Sequence, residues 1–161
     1  MTNNDILIRL RYALNLKNAE MVEIFKLGGV EVSPVELPKI LTKYDEEDDI
    51  PEEAVCSHSM LESFFNGLII FKRGRQEPKP GQPETPALTN EHVNNLLFKK
   101  VKIALSLTSD DIMDILEAAG VRIAKGELSA ILRKEGHSNY RVCGDKFARN
   151  FLKGLASKYR G

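Results

Sequence analysis

Residues 3–16 read Asn3-Asn4-Asp5-Ile6-Leu7-Ile8-Arg9-Leu10-Arg11-Tyr12-Ala13-Leu14-Asn15-Leu16. Residues 94–107 read Asn94-Asn95-Leu96-Leu97-Phe98-Lys99-Lys100-Val101-Lys102-Ile103-Ala104-Leu105-Ser106-Leu107. The second stretch is a copy of the first at a constant offset of 91, and the register continues from 3–43 onto 94–134. Ile24, Gly29, Val30, Glu36, Leu37, Ile40, Leu41 and Lys43 meet the identical Ile115, Gly120, Val121, Glu127, Leu128, Ile131, Leu132 and Lys134. After a gap the register resumes at offset 87: Cys56, Phe64, Gly67, Leu68, Arg73 and Gly74 match Cys143, Phe151, Gly154, Leu155, Arg160 and Gly161. The chain is therefore an internal duplication.

Each copy predicts four helices. The first covers roughly 4–16 and 90–107, where Ile6, Leu7, Leu10, Ala13 and Leu14, like Leu97, Phe98, Val101, Ala104 and Leu105, recur at helical spacing. The second covers about 19–28 and 109–119. Asn18 is a candidate N-cap, Thr108 with Asp111 forms a capping-box pattern, and Gly29 and Gly120 sit where a left-handed residue would end these helices. The third covers about 34–44, started by Ser33-Pro34-Val35-Glu36 and strained by Pro38, and about 126–134. The fourth covers about 58–73 and 145–160, with Ser59 and Asp145 as candidate caps. The expected fold is all-α: two tandem four-helix repeats, residues 1–75 and 90–161, joined by a Pro-rich linker over 76–89. Prolines 78, 80, 83 and 86 favour extended backbone there and forbid a helix.

The 161 residues carry 23 Lys+Arg and 23 Asp+Glu, so the net charge is zero. That sum hides an asymmetry, because residues 1–75 hold 9 basic and 13 acidic side chains and residues 93–161 hold 13 and 7. Two cysteines exclude a disulfide scaffold and point to a reducing cytoplasm. The N-terminus lacks the basic-then-apolar order of a secretory signal. No run approaches the roughly 18 apolar residues of a membrane helix, so no membrane partner is expected.

Catalytic and cofactor chemistry finds no pattern. His58, His92 and His137 are scattered without ligand spacing. Cys56 and Cys143, equivalent positions before a helix, read as buried small hydrophobes without a repeated histidine partner. There is no nucleophile elbow and no phosphate-binding glycine loop. The acidic run Asp45–Asp49 lacks the alternation and central glycine of a calcium loop and reads as solvated. No cofactor, metal or small-molecule substrate is expected. A helix–turn–helix register with Gly120 at the turn puts Gly126 and Ser129 where the recognition helix should be apolar, and it fails in the first copy at Phe25 and Pro38.

Two features remain. Phe64-Phe65-Asn66-Gly67-Leu68-Ile69-Ile70-Phe71 is apolar around most of a helix, so it needs cover from the second repeat, another chain or a ligand. Phe65, Ile69 and Ile70 are the candidate interface of a non-catalytic module that binds a protein partner or itself. On the last helix, Lys146, Arg149, Lys153 and Arg160 fall within about 60° of one another, opposite Phe147, Phe151, Leu155 and Tyr159. That basic face is the alternative, a nucleic-acid phosphate contact whose binding would weaken with salt.

The strings Asn3-Asn4-Asp5-Ile6-Leu7, Arg11-Tyr12, Phe65-Asn66-Gly67-Leu68-Ile69, Lys72-Arg73-Gly74, Lys100–Leu107, Asp110-Asp111-Ile112, Cys143-Gly144-Asp145 and Phe151-Leu152-Lys153-Gly154-Leu155 together resemble the YehS-like family of uncharacterised bacterial proteins. The resemblance covers both repeats and implies a cytoplasmic bacterial protein built from two copies of one helical domain. The family has no assigned activity, so it carries over no functional residues.

Overall fold

The computed structural model describes residues 1–45, 47–74, 80–81 and 87–160. Most of the Pro-rich linker, and Glu46 of the acidic run, lie outside the described residues. Among them the chain forms eight α-helices and no strand: α1 (Asn3–Ala13), α2 (Asn18–Leu27), α3 (Leu37–Ile40), α4 (His58–Arg73), α5 (Val93–Ala104), α6 (Ser109–Ala118), α7 (Lys125–Leu132) and α8 (Asp145–Arg160). The first four belong to repeat one and the last four to repeat two.

Local chemistry explains most boundaries. Thr2 caps α1, accepting from Asp5 N at 3.1 Å while the Asp5 carboxylate accepts from Thr2 N at 3.1 Å. Thr108 and Asp111 make the same reciprocal pair at 3.0 and 2.8 Å. The Thr108 backbone and hydroxyl hydrogen bonds hold the Asp111 carboxyl below the usual carboxylate range. Three expected caps are shifted, and Asp145 is the first residue of α8 instead of its cap. Lys17, not Asn18, precedes α2, and its N–H is satisfied by Glu20 at 2.9 Å. Ser57, not Ser59, caps α4, accepting from Met60 N at 3.1 Å, because the helix begins at His58. The third helix of repeat one is also shorter than expected. Ser33 Oγ accepts from Glu36 N, but Pro34 and Pro38 leave only one helical turn. In repeat two, with no proline there, α7 runs two turns.

The duplication is exact enough to repeat its irregularities. Asn15 and Ser106, 91 residues apart, both adopt left-handed backbone, with φ of 51° and 55°. Each ends a first helix, and Leu16 N and Leu107 N then close back onto Arg11 O and Lys102 O at 3.0 and 2.9 Å. Gly67 and Gly154 mark where α4 crosses α2 and α8 crosses α6. A Cβ on Gly67 would lie 1.9 Å from Ile24 O, and one on Gly154 would lie 2.2 Å from Ile115 O. Only glycine admits that approach.

The repeats do not fold side by side as separate bundles. The first helix of each packs chiefly along the last helix of the other: α1 on α8 and α5 on α4. Within each repeat the second helix lies on the fourth, α2 on α4 and α6 on α8. One continuous apolar core results, running from Ile6 and Leu7 through Phe64 and Phe65 to Phe98, Phe151 and Leu155. A unit of 70–75 residues buries only about 60% of its unfolded surface. The crossed pairing gives the two units a shared interior.

Candidate nucleic-acid interface

The apolar candidate is buried by this pairing. Helix α4 is held between α2 and α5, and every residue from Leu61 to Leu68 is buried. Phe65 is 0% exposed, so it offers nothing to a second molecule, and only Ile69 and Ile70 retain partial exposure. The cover that its apolar circumference demanded is repeat two of the same chain. The same burial accounts for the segment Glu52–Arg73, which by length and a mean hydropathy of 1.2 would otherwise pass as a membrane span.

The basic candidate is accessible. Lys146, Arg149, Lys153 and Arg160 are all exposed on α8. Ala148, Phe151, Leu152 and Leu155, on the other face, are buried. Arg160, however, is committed to docking. Its guanidinium donates to Tyr12 O at 3.2 Å and to Asn15 Oδ1 at 3.0 Å, and it sits 4.2 Å from the Tyr12 ring centroid. Its counterpart Arg73 donates to Ile103 O at 3.3 Å, and Ile103 is the counterpart of Tyr12. This arginine is thus a repeat-wide clasp between a last helix and the opposite first helix. Three cations of the stripe remain outward.

Packing of α1 on α8 adds a fourth that the sequence did not bring forward. Arg9 and Lys153 flank a hollow of about 380 Å³ whose other walls are Ile8, Tyr12, Leu152 and Ala156. Arg9 is 144 positions from Lys153, so only the crossed pairing joins them. Tyr12 is 56% exposed at the rim. At the start of α8, Asp145 accepts from the Asn94 amide at 2.8 Å and meets the N-terminal ammonium at 3.2 Å. The amide hydrogen bond first, then the ammonium and Arg149, hold its carboxyl below the usual range against the opposing effect of burial.

A buried polar network lies elsewhere and is structural in geometry. The Glu62 carboxylate, 1% exposed, accepts from Thr89 N at 3.0 Å, Thr89 Oγ1 at 2.8 Å and Asn90 N at 3.1 Å. It anchors the chain where it re-enters repeat two. Beside it Glu91 pairs with Lys99. Burial pushes the Lys100 ammonium down in pKa, with the charges of Glu62 and Glu91 opposing.

The cysteines are equally structural. The Asn3 amide donates to Cys56 O at 2.9 Å and the Asn94 amide to Cys143 O at 3.1 Å. Asn4 and Asn95 tie the same segment to the third helix, through Ile40 O and Ile131 O at 2.7 and 3.1 Å. Burial raises both thiols to about 12, the reverse of what a nucleophile needs. Among the described residues no three His, Cys, Asp or Glu side chains gather as a metal site.

The family model described as protein of unknown function (DUF1456) matches the chain twice, over residues 3–74 and 94–161. The chain belongs to this family. The two matched segments are the two copies, α1–α4 and α5–α8. The uncharacterised protein YehS of Escherichia coli (strain K12) is 41% identical over 159 residues, covering 98% of this chain and 96% of that protein. No solved structure matches. The family description assigns no activity, so a functional reading has to come from the surface of α8 and its neighbours.

Proposed function

We propose that this DUF1456 chain is a non-catalytic binding protein of the cytoplasm that docks on nucleic-acid phosphates. Lys146, Arg149 and Lys153 of α8, extended by Arg9 of α1, make the contact. The observation that carries the reading is the α1–α8 packing, which sets Arg9 beside Lys153 around one hollow while the apolar α4 surface is taken up inside the chain. Free, buried thiols at Cys56 and Cys143 suit a reducing compartment.

Fluorescence anisotropy with a generic duplex DNA and a generic RNA tests it. Neutralising about three to four phosphates predicts a loss of about 40- to 150-fold in affinity between about 50 and 200 mM salt, with a dissociation constant near 1–100 μM at physiological salt. Joint charge reversal, K146E with R149E and K153E, should abolish binding. Absence of binding at the lower salt retires the proposal. Arg160 is excluded from the set because its substitution would loosen the clasp to Tyr12.

A further inference from the structure

A second basic feature lies away from the α8 face. Helices α5, α6 and α7 enclose a groove of about 590 Å³, within the size range of small-ligand sites. Four cations line it: Lys99 and Lys102 from α5, Lys125 and Arg133 from the two ends of α7. Lys99 is paired with the buried Glu91. Among the described residues, no carboxylate pairs with Lys102, Lys125 or Arg133. The lining carries no acidic side chain. Ser109 and Ser129 add hydroxyl donors. Ser109 and Lys125 are also the first residues of α6 and α7, whose N-terminal turns are capped by Asp111 and Glu127. Ile103 and Leu132 give it an apolar wall.

Repeat one supplies the internal comparison. Its own groove is lined by Ile8, Arg11, Asn18, Pro38 and Leu41, which are the counterparts of Lys99, Lys102, Ser109, Ser129 and Leu132. That groove is smaller, about 280 Å³, and its single lining cation is engaged, with Arg11 Nε donating to Asn18 at 3.0 Å. Pro34 and Thr42 stand where repeat two has Lys125 and Arg133. The fold therefore forms without these charges. Converging cations that the skeleton does not require repel one another unless an anion joins them.

We propose that the α5–α6–α7 groove binds phosphate groups carried by a base, with the phosphates on Lys102, Lys125 and Arg133 and the base against Ile103 and Leu132. A free nucleoside triphosphate and a nucleic-acid strand share this chemistry. The site is independent of the α8 reading. Isothermal titration of the full chain with ATP, GTP and inorganic triphosphate, beside oligonucleotide anisotropy, separates the sources. K125E and R133E should each weaken triphosphate binding about tenfold or more, since each removes a charge-assisted hydrogen bond. K146E with K153E should leave it unchanged. R133T writes repeat one's residue into the groove and controls for folding, and it should weaken binding in the same direction. If triphosphates do not bind but oligonucleotide affinity falls in the groove variants, the site stands with the polymer as its phosphate source. If neither ligand responds to the groove variants, the proposal is overturned and the α8 reading is untouched.

Discussion

Helices α4 and α8 are the same helix written twice, and their surroundings are opposite. Both are sixteen residues long, both carry the crossing glycine, and both end in the clasping arginine. Yet Glu62 and Asn66 of α4 are 1% and 2% exposed, while their counterparts Arg149 and Lys153 stand in solvent. The difference comes from the cover. The chain re-entering at Thr89 and Asn90 closes over α4 and gives Glu62 its three donors. At α8 the N-terminal ammonium meets Asp145, while Arg149 and Lys153 stay exposed. Which face of a duplicated helix can carry function is decided by what the rest of the chain leaves open.

The aromatic cores differ in the same sense. Phe64 meets Phe25 of α2 at 4.9 Å, tilted by 57°, whereas its counterpart Phe151 stacks on Phe98 of α5 at 4.3 Å. One fourth helix fixes its ring to its own second helix, the other to its own first.

The strongest way to break the comparison is to hollow out the shared core. Phe65→Ala should cost about 3–5 kcal/mol and Leu152→Ala, its counterpart, about 2–5 kcal/mol. Chemical denaturation should show each loss in a single common transition, because both residues belong to one interior. Two separated transitions would mean that the repeats are independent units. A smaller effect sharpens the contrast of cover. Glu62→Ala leaves the Thr89 and Asn90 donors unpaired and should cost about 2–4 kcal/mol, whereas Arg149→Ala should stay within about 0.5 kcal/mol. Urea midpoints of the two variants, measured together, decide it.

The smallest effect is one of pH. The Asp145 carboxyl titrates below its ordinary value of 3.8 in the fold. Its ionised form therefore stabilises the protein fully above about pH 4–5, and that contribution fades as pH falls through the lowered folded value. Asp145→Asn should be less stable than the parent at pH 7, with the gap closing below about pH 4. A gap that widens in acid would reverse the assignment.

Much of this fold is legible in the residues. The duplication, the helix count, the left-handed Gly29 and Gly120 and the Thr108 cap all follow from local patterns that need no tertiary information. The crossed pairing does not. An apolar stripe such as Ile6, Leu7 and Leu10 attracts any complementary stripe, and nothing in it distinguishes α4 from α8. What the sequence leaves open shares that origin. Phe65 offers itself as an interface because its cover is 28 or more residues away, and Arg9 gains meaning only beside Lys153, 144 positions away. Arg160 was open to a better reading. It is one of the few charged residues identical in both copies, and identity across copies marks what builds the repeat, while Lys146, Arg149 and Lys153 differ from Ser59, Glu62 and Asn66.

The α1–α8 pairing also bears on how the protein is made. Synthesis delivers α1 long before α8, so the helix at residues 3–13 has no principal neighbour until residues 145–160 leave the ribosome. Until then Ile6, Leu7 and Leu10 have no finished core to enter. The nascent chain thus keeps an adhesive leading edge until α8 has been made.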